Sequence, residues 1–132
     1  MINPLSPKFR GLIFISGPTN SGKSQLAEFL IKDQQSITYI ATSKKRVNDP
    51  EWERRIQIHK ERRPQNWKLI EPPYNICNMI ESIQNESILI DSLGGLVDHH
   101  LIKKDDQWQH FQSRFINCLI NNNSLIIVVS EE

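Results

Sequence analysis

Three places in the sequence hold residues whose types and spacing can do chemistry. The first is Gly17-Pro18-Thr19-Asn20-Ser21-Gly22-Lys23-Ser24, which matches G-x-x-x-x-G-K-[ST] in full. Such a loop cradles phosphate. Backbone N–H groups and a helix N-terminus point at phosphate oxygens, and Gly17 and Gly22 permit the turn and the close approach. Lys23 brings a point charge to the β- and γ-phosphates, and Ser24 offers a hydroxyl to a magnesium ion. The second place is Asp91, which closes the apolar run Ser87-Ile88-Leu89-Ile90. Beside a phosphate loop, a carboxylate there holds magnesium directly or through water; the plainer alternative is a surface Asp that follows a strand. The third is His59, within Arg55-Ile56-Gln57-Ile58-His59-Lys60-Glu61-Arg62-Arg63. On a helix, Trp52, Ile56 and His59 share a face, and Arg55, Arg62 and Arg63 make a cationic neighbourhood that favours a neutral, nucleophilic imidazole. From composition alone a half-buried structural histidine is the favoured reading, and the arginines could equally be a solvated helix face.

These residues need elements to hold them. Residues 11–16 are an apolar run of strand formers, directly before the loop, and 23–32 carry Leu26, Ala27, Leu30 and Ile31 at helical spacing. Residues 37–41 predict a second strand, and 42–50 a polar, basic loop. Asp49-Pro50 predicts a cap and a first-turn proline for a helix that runs to about Arg63 and stops before Pro64. A short strand is expected at 67–70, a helix at 74–84, a buried strand at 87–91, a helix from Asp105 and a last buried strand at 125–129; residues 93–102 are ambiguous, and Gly94-Gly95 suggest a turn or a close backbone approach. Nearly all-apolar strands alternating with helices imply a parallel sheet covered on both faces. The expected fold class is therefore α/β: a P-loop NTPase (RecA-like) three-layer sandwich with a mostly parallel sheet. One nucleotide-binding domain is expected over 11–132, preceded by an N-terminal extension, 1–10.

Composition narrows the function. Lys and Arg total 16 against 15 Asp and Glu, so a net charge of +1 gives no electrostatic case for a nucleic-acid or membrane-surface partner. The longest apolar runs are about five residues, far below the ~20 that span a bilayer. Two cysteines, Cys77 and Cys118, without CxxC spacing, point to a reducing cytoplasm. Asp98, His99, His100 and His110 fit no standard zinc spacing. Trp52, Trp67 and Trp108 read as packing residues, and Cys77 as core.

Taken together the motifs resemble the adenosylcobinamide kinase / adenosylcobinamide-phosphate guanylyltransferase family of cobalamin biosynthesis. The resemblance is carried by the phosphate loop with Tyr39-Ile40-Ala41-Thr42-Ser43 and by Asp49-x-Glu51-Trp52-x-x-Arg55-Ile56-x-x-His59-x-x-x-Arg63. Trp67-x-x-x-Glu71 and Ile90-Asp91-Ser92-Leu93 extend it. It implies a bifunctional enzyme that moves a nucleotide γ-phosphate onto adenosylcobinamide and attaches GMP from GTP through a GMP–histidine intermediate. By position, His59 would be the nucleophile. Gly17, Pro18, Thr19, Asn20, Ser21, Gly22, Lys23 and Ser24 would hold the triphosphate, with Ser24 and Asp91 on Mg2+. Thr42, Ser43, Lys44, Lys60, Glu61, Arg62, Arg63, Glu71 and Asp91 would contact the nucleotide. GTP or ATP and a corrinoid are the implied substrates, and a homo-oligomer the implied assembly. Some relatives carry two adjacent histidines; Ile58 stands at the first place here, which leaves His59. Family members continue past the last strand into more sheet and helix, so a C-terminal part is expected to be missing after Glu132. Two other readings stay open: a generic P-loop small-molecule kinase with a structural His59, and a catalytically impaired nucleotide-binding remnant.

Overall fold

The computed structural model describes residues 2–18, 21–43, 47–72, 74–100 and 103–131. Among them the chain runs β1 (Gly11–Gly17), α1 (Lys23–Ile31), β2 (Ile37–Ala41), α2 (Pro50–Arg62), β3 (Lys68–Ile70), α3 (Ile76–Ser82), β4 (Ser87–Asp91), α4 (Leu93–Asp98), α5 (Asp105–Ile120) and β5 (Leu125–Glu131). The five strands form one sheet in the order β1-β5-β4-β2-β3, and every pairing is parallel. This is the expected α/β architecture, with the sheet wholly rather than mostly parallel among the described strands.

Burial explains the near-continuous apolar strands. On one face Leu89, Leu125, Ile127 and Val129 meet Ala27 and Ile31 of α1. On the other, Ile88, Ile90, Ile126 and Val128 meet Ile76 and Ile80 of α3, Leu96 of α4 and Phe115 and Leu119 of α5. Alternate side chains of one strand therefore feed two cores, as the period of two requires. The N-terminal segment lies on the α1 side: Leu5 joins that core, Asn3 donates to the Phe29 and Leu30 carbonyls, and Ser6 accepts from Gln34.

Two elements depart from the sequence reading. The helix expected at 74–84 is the shorter α3, because the Asn75 side chain caps its start, accepting from the Asn78 N–H at 3.2 Å, and Ile83 is already extended. Within the ambiguous stretch, Gly94-Gly95 lie inside α4 rather than in a turn. The α2 boundary follows its signals closely. Asp49 accepts from the Trp52 N–H at 3.1 Å, Pro50 opens the helix, and Glu51 and Glu53 face its positive end. None of the α2 residues is fully buried; Trp52, Ile56, His59 and Arg62 are half-buried, and Arg62 ties the end of the helix to α1.

Candidate nucleotide site

The described strands are all parallel, so the C-terminal ends of β1, β2 and β4 share one edge. Gly22 caps α1 with φ 84°, a left-handed conformation that other residues adopt only with strain. It turns the chain so that α1 begins at Lys23. A Cβ on Gly17 would come within 2.9 Å of the Ser21 hydroxyl, which would have to turn aside. The Lys23 side chain is buried, and its ammonium donates to the Pro18 carbonyl at 2.9 Å. The same carbonyl accepts the Ser21 N–H. A buried ammonium must have a partner, and a neutral carbonyl is one that phosphate oxygens can displace.

Asp91 is the centre of the site. Its Oδ2 accepts from the Ser24 hydroxyl at 3.1 Å and from the Tyr39 hydroxyl at 2.6 Å. Burial and then the Asp91 charge push the Tyr39 pKa well above the usual tyrosine value, so the phenol stays a donor. Ser24 and Asp91 present hard oxygen atoms side by side, a donor set that fits magnesium completed by phosphate and water. No group of three or more His, Cys, Asp or Glu residues that could hold a metal by itself occurs among the described residues.

The β2 and β4 ends are tied together. The Thr42 hydroxyl donates to the Ser92 carbonyl at 2.6 Å and accepts the Ser92 N–H at 2.7 Å. The Thr42 N–H bonds the Asp91 carbonyl. His99 Nε2 lies 2.8 Å from the Thr42 carbonyl, which has no proton to give, so Nε2 donates. Tyr74 donates to the Ala41 carbonyl. Gly95 sits where a Cβ would overlap the Thr42 side chain and press within 3.0 Å of its carbonyl.

His59 lies near the end of α2, where Arg62 and Arg63 connect the helix to α1 and β2. Arg62 holds Glu28 of α1 through two bonds, 2.9 Å from Nε and 2.6 Å from Nη2, and Nη2 also lies 3.3 Å from His59 Nδ1. The Arg63 guanidinium lies over the Tyr39 ring at 4.2 Å. Burial lowers the His59 pKa below the usual histidine value. Arg62 and Arg63 act the same way, while Asp91 and Glu28 oppose. Arg55 is exposed and is not among these groups, so the cationic neighbourhood read from sequence narrows to Arg62 and Arg63, with burial first.

Of the other residues singled out from sequence, Thr42 is buried and committed to structural bonds, and Ser43 beside it is exposed. Lys60, Glu61 and Glu71 are exposed; Glu61 accepts from Gln57 one turn back along α2. Thr19, Asn20 and Lys44 lie outside the described residues. Four contributors escaped the sequence reading of the site: Glu28, Tyr39, Ser92 and Tyr74. Tyr39 and Ser92 had a signal, as parts of the motifs Tyr39-Ile40-Ala41-Thr42-Ser43 and Ile90-Asp91-Ser92-Leu93; Glu28 and Tyr74 had none. His100 stacks on Phe111 at 3.8 Å, and its Nδ1 bonds the Leu96 carbonyl. Burial raises both cysteine pKa values, Cys118 to about 12, so neither is a ready nucleophile. Open grooves of about 620 and 380 Å³ run along α3 and α5, and none of the loop residues, His59 or Asp91 lines them.

A parallel sheet, a phosphate loop between β1 and α1, and a carboxylate at the end of β4 define a P-loop nucleotide-binding domain. The chain belongs to the cobinamide kinase / cobinamide phosphate guanyltransferase family, whose model matches residues 13–132. It is 32% identical over 106 residues to the bifunctional adenosylcobalamin biosynthesis protein CobU of Escherichia coli K12, a match covering 75% of this chain and 58% of that one. The CobU of Salmonella typhimurium LT2 matches with the same identity and coverage. CobP of Pseudomonas aeruginosa PAO1, which carries the same description, is 33% identical over 122 residues, or 89% of this chain and 69% of the relative. The chain thus spans about 58% of the length of the first two relatives. No described helix is long and apolar enough to cross a membrane.

Proposed function

We propose that this chain binds a nucleoside triphosphate in its phosphate loop and carries out both transfers of cobinamide activation. One moves the γ-phosphate of GTP or ATP onto the aminopropanol hydroxyl of adenosylcobinamide. The other moves GMP from GTP onto adenosylcobinamide phosphate by way of His59. The observation that carries the reading is the placement of His59. Its Nδ1 lies 3.3 Å from Arg62, Arg62 holds Glu28 of α1, and Ser24 in the first turn of that helix bonds Asp91.

The loop amides and Lys23 hold the triphosphate, Lys23 exchanging the Pro18 carbonyl for phosphate oxygens. In the guanylyl transfer an imidazole nitrogen of His59 attacks the α-phosphorus. An N–P bond forms, the α–β bridging P–O bond breaks, and pyrophosphate leaves with that electron pair. The phosphate of the acceptor then attacks the same phosphorus, and the N–P electrons return to the ring. Mg2+, held by Ser24 and Asp91, would neutralise charge on the phosphate oxygens. Lys44, Lys60, Glu61, Arg62, Arg63 and Glu71 are assigned to nucleotide contacts by family resemblance. A corrinoid and a nucleotide as partners, a homo-oligomer as assembly and the cytoplasm as location complete the proposal.

GTP labelled at the α-phosphate tests it. The label should become protein-bound, acid-labile and base-stable, as a phosphoramidate is. His59→Ala should abolish the label and keep GTP binding. Lys23→Ala should weaken GTP binding by roughly 10- to 100-fold, the loss of a charge-assisted bond of about 1.5–3 kcal/mol. A folded, GTP-binding chain that never takes up label, while γ-phosphate transfer survives His59→Ala, would leave a generic P-loop kinase instead.

A further inference from the structure

Glu28 lies on α1, one turn beyond Ser24, between the loop and the apolar core. Its neighbour Ala27 is fully buried, and Glu28 itself is only 8% exposed. A carboxylate at such a place needs a partner, because an uncompensated buried charge is costly. The partner is Arg62, held through both carboxylate oxygens. The Nη2 that bonds Glu28 Oε2 also bonds His59 Nδ1 at 3.3 Å. A guanidinium has donors only, so Nδ1 is the acceptor, and the neutral ring carries its proton on Nε2. The Nδ1 lone pair is engaged, and Nε2 has no in-plane lone pair. Neither nitrogen of the resting ring is free to attack phosphorus.

We propose that Glu28 is a positioning residue: by fixing Arg62 it latches His59 in this non-nucleophilic tautomer until the phosphates of a bound nucleotide draw the guanidinium away. This rests on the reading of His59 as nucleophile and adds what restrains it. The exchange is geometrically short. Glu28 and Ser24 are four residues apart, about 6 Å along α1, and phosphate competes for a planar guanidinium as a carboxylate does. When Arg62 leaves, the Nδ1 lone pair is freed. Asp91 of β4, Glu28 of α1, and Arg62 and Arg63 at the end of α2 all act on the ring's charge. The latch is therefore read from where the proton sits.

The test uses the full chain with 15N-labelled histidine and arginine, at a pH where the ring is neutral. In the free wild type, His59 should show a protonated Nε2 and a hydrogen-bonded, unprotonated Nδ1, and the Arg62 Nε–H should exchange slowly. Inorganic tripolyphosphate should move the Nδ1 and Arg62 signals together. Glu28→Gln should produce the same Nδ1 change without the probe. It should also raise the rate of His59 modification by diethyl pyrocarbonate several-fold relative to the exposed His110. In that reaction a ring nitrogen attacks the carbonyl, an N–C bond forms, and ethyl carbonate and the ring proton leave. If Glu28→Gln does not fold, Arg62→Lys carries the same comparison, since one ammonium nitrogen replaces the planar fork whose Nε and Nη2 here divide the two carboxylate oxygens and the ring between them. A proton on Nδ1 in the free wild type, or an Nδ1 signal and modification rate unchanged in the variant, overturns the latch. GTP label on a chain whose resting Nδ1 is protonated would remove the latch and keep the nucleophile; a latched ring that never takes label would do the reverse.

Discussion

Single side chains at this site act mostly through what they do to their neighbours' protons. His59 shows it best. Burial is the first cause that lowers its pKa, with Arg62 and Arg63 adding to it and Asp91 and Glu28 opposing. A lowered pKa keeps the ring neutral, hence able to attack, to lower pH than an ordinary histidine. Uptake of α-label, measured as a rate across pH, should hold its plateau through the ordinary value of 6.5 and fall only below it. Arg63→Gln removes one of the lowering charges, so the acid limb should move upward. The linkage has a definite sign. The folded chain binds fewer protons at this site than the unfolded chain, so the stability it contributes is present above the unfolded pKa and lost as pH falls through the lowered one. Urea unfolding of wild type and His59→Gln should converge in that acid window.

At the scale of elements, the short α4 does more than connect. It carries Gly95 against Thr42, whose hydroxyl stitches the β2 end to Ser92 after β4. Gly95→Ala would force a methyl group into the Thr42 side chain and carbonyl, an overpacking cost of about 1–3 kcal/mol. At Gly94 a Cβ meets only the Ser92 hydroxyl at 3.8 Å, ordinary contact, so Gly94→Ala should instead stabilise by about 0.5–1 kcal/mol through helix propensity. Urea midpoints of the two variants should therefore move in opposite directions. Adjacent glycines give no such distinction in a one-dimensional sequence, which is why they suggested either a close backbone approach, which Gly95 makes, or a turn. What was legible is what local pattern dictates: the phosphate loop between an apolar run and a helix, the Asp49-Pro50 start of α2, and buried strands ending in site residues. What was not legible depends on chain returning from far away. Glu28 looks like any helix glutamate until Arg62, 34 residues on, folds back over it. Nor does Thr42 show in the sequence that its hydroxyl both donates to and accepts from the backbone of Ser92, 50 residues away.

For the whole molecule, the decisive feature is that one sheet divides its side chains between two cores. β4 and β5 lie inside the sheet, so Leu89 faces α1 while Ile90, the next residue, faces α3, α4 and α5. Both are fully buried. Rigid strand ends under this double cover are what let Asp91 meet Ser24 and Tyr39 at bonding distance. The two cores share β2, β4 and β5, so neither is able to melt while the other keeps its central strands. Leu89→Ala and Ile90→Ala should each cost about 2–5 kcal/mol, the transfer and cavity loss of a large buried aliphatic. Leu69→Ala on the edge strand β3, where the side chain is 40% exposed, should cost under about 1 kcal/mol. Urea titrations followed by tryptophan fluorescence and by far-ultraviolet circular dichroism should give one coincident transition for each variant, with the midpoint lowered and the slope unchanged. Trp67 reports the α1 core, and Trp108, stacked against Phe111, reports the opposite face. Separate transitions at these two probes in Leu89→Ala would show that the faces unfold independently and that the site edge is held by one core alone.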